Sequence, residues 1–397
     1  MSTVVQKYGG SSVADVEKIR KVARKVKEKR DGGHQVVVVV SAMGDTTDEL
    51  LALAKQVSPD PHRRELDMLL TCGERISMAL LSMALHELGV EAISFTGSQS
   101  GIITNDAHAQ ARIVEVRPYR IQDELANGKV VIVAGYQGVS YRREVTTLGR
   151  GGSDTTAVAL AAALQADCEI YSDVDGVFSA DPRVVPDARK LEEVSYDEMQ
   201  ELASAGAKVL NAQAVEFAKR KGIVILAKST YGGGTGTAIK ELQAPSDTRV
   251  KGVASEADLA VIAARGGPGE LSEVLEFLDA RAVRARTLSF DAGGGQAFIA
   301  TPLQDVHGVE ALKRDLHARF GERVTLEEGL GTVTAVGAGI NADWSIARRA
   351  LAAAEAAGAK VHGVHVSALQ VSLLVGREML KPLTARLHQE LVGSPPG

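Results

Sequence analysis

Short apolar runs that alternate with helical patterns are the feature that most limits how this chain can fold. The runs, most of which end in loops rich in glycine or acidic residues, are VVQKYGG, HQVVVVVSAMG, KVVIVAGYQG, CEIYSDVDGVF and GIVILAKST. Because they lack the regular alternation of apolar and polar residues that marks a strand with one wet face, both faces are expected to be covered. The first 240 residues therefore predict an α/β fold, a mostly parallel sheet sandwiched by helices, with ligands at the carboxyl ends of its strands.

A repeat follows the loop-rich seam YGGGTGTAIKELQAPSDTRV. Two segments, beginning LAVIAARGG and TVTAVGAG, each read strand, helix, strand, strand and helix, which is the order of ferredoxin-like units. The first unit gains a closing strand, RVTLEEG, whereas only GSPPG remains after the second. We expect the spare strand RVKGVAS to close the second unit. The predicted domains are residues 1–243, 250–328 and 329–393, with residues 250–256 lending a strand to the last of them.

Charge and composition exclude several classes of protein. The net charge of −5 argues against general nucleic-acid binding, which needs a basic surface. We find no apolar run near 18 residues, so no membrane span is expected, and polar residues directly after Met1 do not fit a signal peptide. Cys72 and Cys168 lack the spacing of a disulfide framework or a zinc site. They are expected to be core or helix-face thiols in a reducing cytoplasm.

A lysine and two glycines end the first apolar run. Lys7, Gly9 and Gly10 reverse the Walker order, in which glycines come first, so a P-loop NTPase is disfavoured. The turn still suits an anion, because glycine backbone N–H groups can approach it closely and the next helix points its positive end there. For this fragment alone, a tight turn with a solvated lysine remains the alternative.

Two further elements have both a structural and a functional interpretation. In SAMGDTTDEL, Ser41, Thr46 and Thr47 supply hydroxyl groups either to a ligand or to a helix cap. In TCGERIS, Glu74 and Arg75 lie within a helical pattern with an apolar stripe. Taken alone, that pair is best explained as a surface ion pair.

The segment TTLGRGGSDTTAVALAAAL is the strongest local signal. Glycines before a helix form a nest for an anion, yet Asp154 places a carboxylate there. Asp154 either caps the helix or faces a cation such as a substrate ammonium or Mg²⁺, while Arg150 clamps a carboxylate. An Arg and an Asp four residues apart suit an α-amino acid, which carries both charges.

The segments YSDVDGVFSADPR and GAKVL add candidates for nucleotide contacts. The first superficially echoes a calcium loop but lacks the oxygen ligand at position five and the Glu at position twelve, so nucleotide and Mg²⁺ contacts fit better. Lys208 in the second is a phosphate candidate, or a solvated helix lysine.

Five elements, KYGGSSV, SAMGDTTDEL, GERIS, TTLGRGGSDTTAVALAAAL and YSDVDGVFSADPR, stand in one order that resembles the aspartate kinases of the amino-acid kinase family. The match covers nearly all of the first 240 residues, and the repeat resembles the two ACT domains that follow the catalytic domain in that family. The resemblance implies an amino-acid kinase-type sheet followed by two ferredoxin-like (βαββαβ) ACT domains.

The resemblance also implies a set of site residues. The ATP-binding positions would be Lys7, Tyr8, Gly9, Gly10, Ser41, Ser172, Asp173, Phe178, Asp181, Arg183 and Lys208. The aspartate-binding positions would be Thr47, Glu74, Arg150, Gly151, Gly152, Ser153 and Asp154. Lys7 and Asp154 would be catalytic, Lys7 by neutralising charge on the γ-phosphoryl group, and Arg150 would hold the α-carboxylate. No protein metal ligand is implied, because Mg²⁺ comes bound to ATP.

The implied reaction converts ATP and L-aspartate to L-4-phosphoaspartate and ADP, the first step of lysine, threonine, methionine and diaminopimelate biosynthesis. The nucleophile is the side-chain carboxylate of the substrate, which is already ionised at pH 7 and needs no general base. Catalysis would rest on in-line positioning and on charge neutralisation by Lys7 and Mg²⁺.

The chain departs from the family pattern in several places. GAKVLNAQAVE replaces a segment that reads like GAKVLHPRAVE in many relatives. In the repeat, RGGPGELSEV lacks the acid of an Asp-x-Pro-Gly turn, and INADWSIARR and HVSALQVSLLV also differ from the usual effector-pocket segments. These differences, centred on residues 338–345 and 367–370, suggest that feedback inhibition by lysine or threonine is weakened, absent or moved to another ligand.

Two rival functions remain at this point. The nearer rival is another amino-acid kinase, acting on glutamate, N-acetylglutamate, carbamate or UMP, and the Glu74, Arg150 and Asp154 set with tandem ACT domains argues against it. The other is a non-catalytic amino-acid sensor, which the intact Lys7, Asp154 and Asp173 disfavour. Because ACT units pair through sheets and helices, a homodimer or higher homo-oligomer is expected, with an amino-acid effector as a possible ligand of the ACT domains.

Overall fold

The structure is a computed structural model in which two compact units can be described separately. It describes residues 2–392 except 150, 243–248, 282, 284, 286, 292–293, 304–305 and 307, and of residue 249 only the backbone. The first unit comprises residues 1–178, 190–203 and 208–243, and the second comprises 179–189, 204–207 and 244–397.

The first unit is built on an eight-stranded, mostly parallel sheet and a four-stranded sheet. The strands of this unit are β1 (Thr3–Tyr8), β2 (Gln35–Val40), β3 (Ala92–Phe95), β4 (Ile102–Thr104), β5 (Ile113–Val116), β6 (Val130–Ala134), β7 (Gln137–Ser140), β8 (Val145–Thr147), β9 (Asp167–Ser172), β10 (Glu193–Ser195), β11 (Ile225–Ser229) and β12 (Thr237–Lys240). The large sheet has the order β10-β12-β11-β9-β1-β2-β6-β3, in which only β11 and β12 run antiparallel to each other. The smaller sheet has the order β5-β4-β7-β8. The predicted α/β class with a mostly parallel sheet is confirmed.

Helices cover both faces of the large sheet. They are α1 (Val16–Asp31), α2 (Thr46–Val57), α3 (Arg63–Glu87), α4 (Tyr119–Ala126), α5 (Gly152–Leu164), α6 (Tyr196–Ser204) and α7 (Ala212–Lys221). Residues of α1 and α3 form one core with alternate residues of β1 and β2, such as Val4, Val36 and Val38. The Ala-rich α5 is buried on nearly all sides and packs against β1, β2 and β9, and against α7. Because strand side chains alternate, Lys7 projects on the α5 side, whereas Gln6 and Tyr8 project on the α1 side.

The 25-residue α3 is long and apolar enough by composition to cross a membrane. It nevertheless contacts α1, β3 and β6, and it buries Asp67 and Glu74. Charged side chains buried against protein are typical of a core helix rather than a lipid-facing one. We therefore describe α3 as a core helix of the first unit.

In its described residues, the second unit contains one antiparallel sheet of six strands and four α-helices. The elements are β13 (Arg249–Arg265), α8 (Pro268–Ala280), β14 (Thr287–Asp291), β15 (Gln296–Pro302), α9 (Val309–Phe320), β16 (Val324–Ala338), α10 (Ser345–Ala356), β17 (Val361–Val366), β18 (Gln370–Gly376) and α11 (Leu380–Leu391). The sheet order is β14-β15-β13-β16-β18-β17. One apolar core packs α8 and α9 on the sheet, and a second packs α10 and α11.

Two strands of this sheet are longer than the sequence patterns indicate. RVKGVAS and LAVIAAR form one strand, β13, and RVTLEEG and TVTAVGA form another, β16. Residues 249–256 of β13 pair with 332–338 of β16, and residues 259–264 pair with 324–330. The strand passes Asp258, whose φ of 60° is left-handed, by shifting register rather than by turning away. A local irregularity therefore replaces the predicted break.

Candidate functional site

The carboxyl ends of β1, β2, β6, β9 and β11 lie at one edge of the large sheet. The Lys7 side chain folds back over the turn that follows β1, so that a methyl group on Gly9 would lie 3.5 Å from Lys7 Nζ. Gly10 packs under the next loop, where a methyl group would lie 3.0 Å from the Ala42 carbonyl oxygen. The turn therefore places an ammonium group beside backbone that lacks side chains, an arrangement suited to an anion.

The cation that Asp154 contacts is Lys7. Lys7 Nζ lies 2.7 Å from Asp154 Oδ1, and both side chains are largely buried, with 13% and 9% of their surfaces exposed. The other oxygen, Oδ2, accepts a hydrogen bond of 3.1 Å from the backbone N–H of Asn211. Asp154 thus holds Lys7 at the turn of Gly9 and Gly10, and Asp154 is itself held by the residue that begins α7.

The start of α5 explains why glycines precede Asp154. Gly151, at the N-cap, has a φ of 71°, in the left-handed region that favours glycine. A methyl group there would also lie 2.2 Å from Asn211 Nδ2, so side chains are excluded on two grounds. Ser153 is buried against Gly135, at the end of β6. Gly151, Gly152, Ser153 and Asp154 are therefore brought to the same edge as Lys7, whereas Arg150 lies outside the described residues.

Glu74 is buried, with 3% of its surface exposed, and is not a surface ion pair. Its Oε1 accepts a hydrogen bond of 3.1 Å from the Ala42 backbone N–H, and its Oε2 has no hydrogen-bond partner among the described residues. Burial raises the pKa of the Glu74 carboxyl to about 7, although backbone hydrogen bonds oppose that shift. The site therefore holds a buried carboxyl group, one oxygen of which makes no hydrogen bond within the described residues.

The loop after β2 contacts both Glu74 and the turn of Gly9 and Gly10. Gly73 lets α3 approach this loop, since a methyl group there would lie 2.8 Å from Ala42 Cβ. Gly44 N–H donates to the Gly10 carbonyl over 3.1 Å. Thr47 lies half-buried in the first turn of α2, and the Asp45 side chain makes no capping hydrogen bond to that helix.

The other nucleotide candidates are less tightly gathered. Tyr8 is fully buried and stacks on Tyr171 with ring centroids 4.8 Å apart, and its carbonyl oxygen accepts a hydrogen bond of 3.1 Å from Ser41 N–H. Ser41 and Ser172 are half-buried at the ends of β2 and β9, and the Asp173 that follows is exposed.

The remaining candidates lie in the segments that follow β9 and precede α7. Phe178 is half-buried, and Lys208 is exposed ahead of α7, both in the first unit. Asp181 and Arg183 lie in residues 179–189 of the second unit, where Arg183 Nη2 is 2.7 Å from Asp181 Oδ2.

Sequence reasoning missed the part that Asn211 plays. Its Oδ1 accepts hydrogen bonds from Gln213 N–H and Ala214 N–H, which makes it the N-cap of α7, and its own N–H holds Asp154. An asparagine directly before the helical pattern AQAVEFAKRK is an N-cap signal that could have been found. In the sequence, Asn211 was noted only because related sequences have another residue at this position.

Comparisons with known proteins identify the family of this chain and its fold. The sequence model of the Amino acid kinase family matches residues 2–227. An aspartokinase of Mycolicibacterium smegmatis is 45% identical, over 98% of this chain and 96% of that protein. The structure of E. coli aspartokinase III in complex with aspartate and ADP aligns with a TM-score of 0.86 at 24% identity, covering 98% of this chain and 100% of that one. The same enzyme in complex with lysine and aspartate aligns with a TM-score of 0.75 at 24% identity, covering 98% and 99%.

Proposed function

We infer the function from the premise that this chain belongs to the amino acid kinase family and, within it, to the aspartokinases. The chain phosphorylates aspartate, and we propose that the product is L-4-phosphoaspartate, formed on the side-chain carboxylate with ATP as donor. The observation that supports this most directly is the Lys7–Asp154 pair of 2.7 Å at a glycine turn. That turn packs on the loop of Ala42, whose N–H donates to the buried Glu74.

Lys7 is proposed to neutralise the charge that develops on the transferred γ-phosphoryl group. Its ammonium lies where the backbone of Gly9 and Gly10 can approach phosphate oxygens. Asp154 keeps the lysine there before ATP arrives. Because the aspartate carboxylate has an unperturbed pKa near 3.9, it attacks in its ionised form without a general base.

The substrate pocket is proposed to recognise the amino-acid group of aspartate through two opposite charges. Glu74 would accept the α-ammonium, because its Oε2 is buried and has no partner among the described residues. Arg150 would clamp the α-carboxylate, with Gly151 to Asp154 and Thr47 completing the pocket. Arg150 itself is outside the described residues, so its role rests on the family resemblance.

Nucleotide binding follows from the family, and we propose its contacts from the positions of the strand ends. Mg²⁺-ATP would lie along the carboxyl ends of β1, β2 and β9. The residues proposed to contact it are Lys7, Tyr8, Gly9, Gly10, Ser41, Ser172, Asp173, Phe178, Asp181, Arg183 and Lys208.

The second unit is proposed to be a pair of ACT domains that regulate the kinase. The proposed division is 1–243, 250–328 and 329–393, and the pairing of residues 253–256 with 332–335 supports the loan of a strand to the last domain. E. coli aspartokinase III binds lysine, so an amino-acid effector is a reasonable ligand here as well. Because residues 338–345 and 367–370 differ from the usual pocket segments, we propose weakened, absent or redirected inhibition by lysine or threonine.

The biological setting is likewise a proposal. Phosphorylation of aspartate would serve lysine, threonine, methionine and diaminopimelate biosynthesis in the cytoplasm. Pairing of ACT sheets would give a homodimer or a higher homo-oligomer.

A coupled ADP-release assay with Mg²⁺-ATP tests the function. We expect turnover with aspartate and little with glutamate at equal concentration. Absence of turnover with either substrate, from a folded protein that binds an amino acid, would favour the sensor. Lysine and threonine are then added singly and together, and half-inhibition at low millimolar concentration would contradict the proposal on regulation.

A further inference from the structure

Asp67 is a fully buried carboxylate to which the reaction assigns no role. It lies on α3 with none of its side-chain surface exposed. Its carboxylate accepts hydrogen bonds from Thr147 Oγ1 at 2.6 Å, His108 Nδ1 at 2.7 Å and the Ala109 backbone N–H at 3.0 Å. A carboxylate with three short donors is held firmly, and its burial is compensated.

The three donors belong to two segments that are distant in sequence. His108 and Ala109 lie in the loop between β4 and β5, and Thr147 is the last residue of β8. Ala109 has a φ of 68°, an uncommon conformation for a residue with a side chain, and it is fixed by the bond to Asp67. Ala111 N–H donates to the Thr147 carbonyl over 2.8 Å. Asp67 therefore joins this loop and the end of β8 to α3.

The chain that leaves β8 leads directly to the substrate-carboxylate residues. A methyl group on Gly149 would lie 3.3 Å from the Ala109 carbonyl oxygen. The loop that Asp67 fixes therefore also lies against the chain that leaves β8. Glu74 is seven residues from Asp67, two turns along the same buried face of α3. One helix thus presents Glu74 for the substrate ammonium and, through Asp67, anchors the segment that leads to Arg150 and Gly151.

We infer that Asp67 is a positioning residue for aspartate, acting through Thr147 and the His108–Ala109 loop. This inference rests on the proposed function. Asp67 does not touch substrate, because its oxygens are occupied by protein donors and none of its surface is exposed. Its effect should fall on the binding of aspartate and not on the binding of ATP.

The test is Asp67→Asn, which keeps the size but places an N–H₂ group against these donors. We expect the KM for aspartate to rise about tenfold, the loss expected for one charge-assisted hydrogen bond, with the KM for ATP within about twofold of wild type. The matched control is Glu198→Gln, since Glu198 is equally buried and accepts from Ser195 Oγ at 2.8 Å in α6. An unchanged KM for aspartate, or equal changes for both substrates, would overturn the inference.

A second pair of variants keeps the test valid if Asp67→Asn fails to fold. Thr147→Val removes only the hydroxyl and should raise the KM for aspartate, whereas Thr147→Ser, which keeps the hydroxyl, should restore it. Calorimetric titration with aspartate repeats the comparison without turnover. Wild-type protein that binds aspartate but releases no ADP would refute the proposed function, while the Kd values of the variants would still decide the inference.

Discussion

Two buried glutamates of the first unit, one on a strand and one on a helix, show how the site differs from the scaffold that supports it. Glu169 on β9 and Glu74 on α3 are 2% and 3% exposed. Glu169 accepts hydrogen bonds from Gln6, Lys29, Lys228 and Tyr171, at 2.8 to 3.1 Å. Glu74 accepts one such bond, from a backbone N–H, and keeps an oxygen without a hydrogen-bond partner in the described part of the chain.

The titration of the two carboxyl groups differs accordingly. Burial alone would raise the pKa of Glu169, but the hydrogen bonds from Gln6 and Lys228 and the charges of Lys228 and Lys29 lower it to about 2. Burial raises the pKa of Glu74 to about 7. Two carboxyl groups with similar burial therefore have pKa values shifted in opposite directions. The difference is that lysines lie beside Glu169. A carboxylate whose cation is supplied by the fold stabilises the fold, whereas one whose cation is absent is suited to a ligand.

The largest effect is expected from Lys7→Ala, in the candidate site. Turnover should fall by at least ~10³-fold, because Lys7 provides the charge that neutralises the phosphoryl group in the transition state. The purified variant should remain folded by circular dichroism. Lys18→Ala, which changes a half-buried lysine in the first turn of α1, is the control and should behave as wild type. Near-normal turnover of Lys7→Ala would remove Lys7 from catalysis.

Outside the candidate site, Glu169→Gln should destabilise the protein at pH 7 by about 3 kcal/mol. This is the free energy that corresponds to the lowering of the Glu169 pKa from 4.5 to about 2. Because the folded-state pKa is depressed, this stability is present above about pH 4.5 and is lost as the pH falls towards 2. Urea titrations at pH 7 and pH 3 measure it. The control is Glu193→Gln, an exposed partner of Lys240, which should change stability by less than about 1 kcal/mol. Equal effects of the two variants would refute the contrast.

An effect of opposite sign is expected from Glu74→Gln. The raised pKa means that folding favours the protonated carboxyl, so this contribution is full below about pH 4.5 and is lost as the pH rises through about 7. Gln removes the charge, and at pH 8 the variant should be more stable than wild type by up to about 3 kcal/mol. It should bind aspartate poorly.

The same group gives a pH dependence that sharpens the contrast. Between pH 8 and pH 6 the ionised fraction of Glu74 falls about tenfold for a pKa near 7, and the KM for aspartate should rise accordingly. The Glu74→Gln profile should be flat over this range. A wild-type KM that does not depend on pH would mean that the Glu74 carboxylate does not bind the ammonium group.

Sequence patterns predict secondary structure best where a segment has a single clear periodicity. The run QVVVVV becomes β2, buried along its length, and GGSDTTAVALAAAL becomes the buried α5. Glu74 could not be placed from its helical pattern, because that pattern does not say which face of α3 a neighbouring loop covers. Only the family resemblance assigned it a role, and the structure shows the burial that such a role needs.

The rest of the site depends on contacts between distant segments. Nothing in the local sequence around Asp67 indicates that His108 and Thr147 will donate to it, since these partners lie 41 and 80 residues away. The unbroken β13 was also missed. Patterns show where a strand can end but do not show that a neighbouring strand will carry pairing across an irregular residue such as Asp258.

The two long strands of the second unit also limit how that unit can evolve. β13 and β16 each pass through both halves of the six-stranded sheet, so the two repeats share a pair of central strands. Deleting either repeat would leave the other with half a strand and an open edge. The repeats are therefore not interchangeable modules. We therefore expect them to be duplicated, lost or transferred to another protein only together.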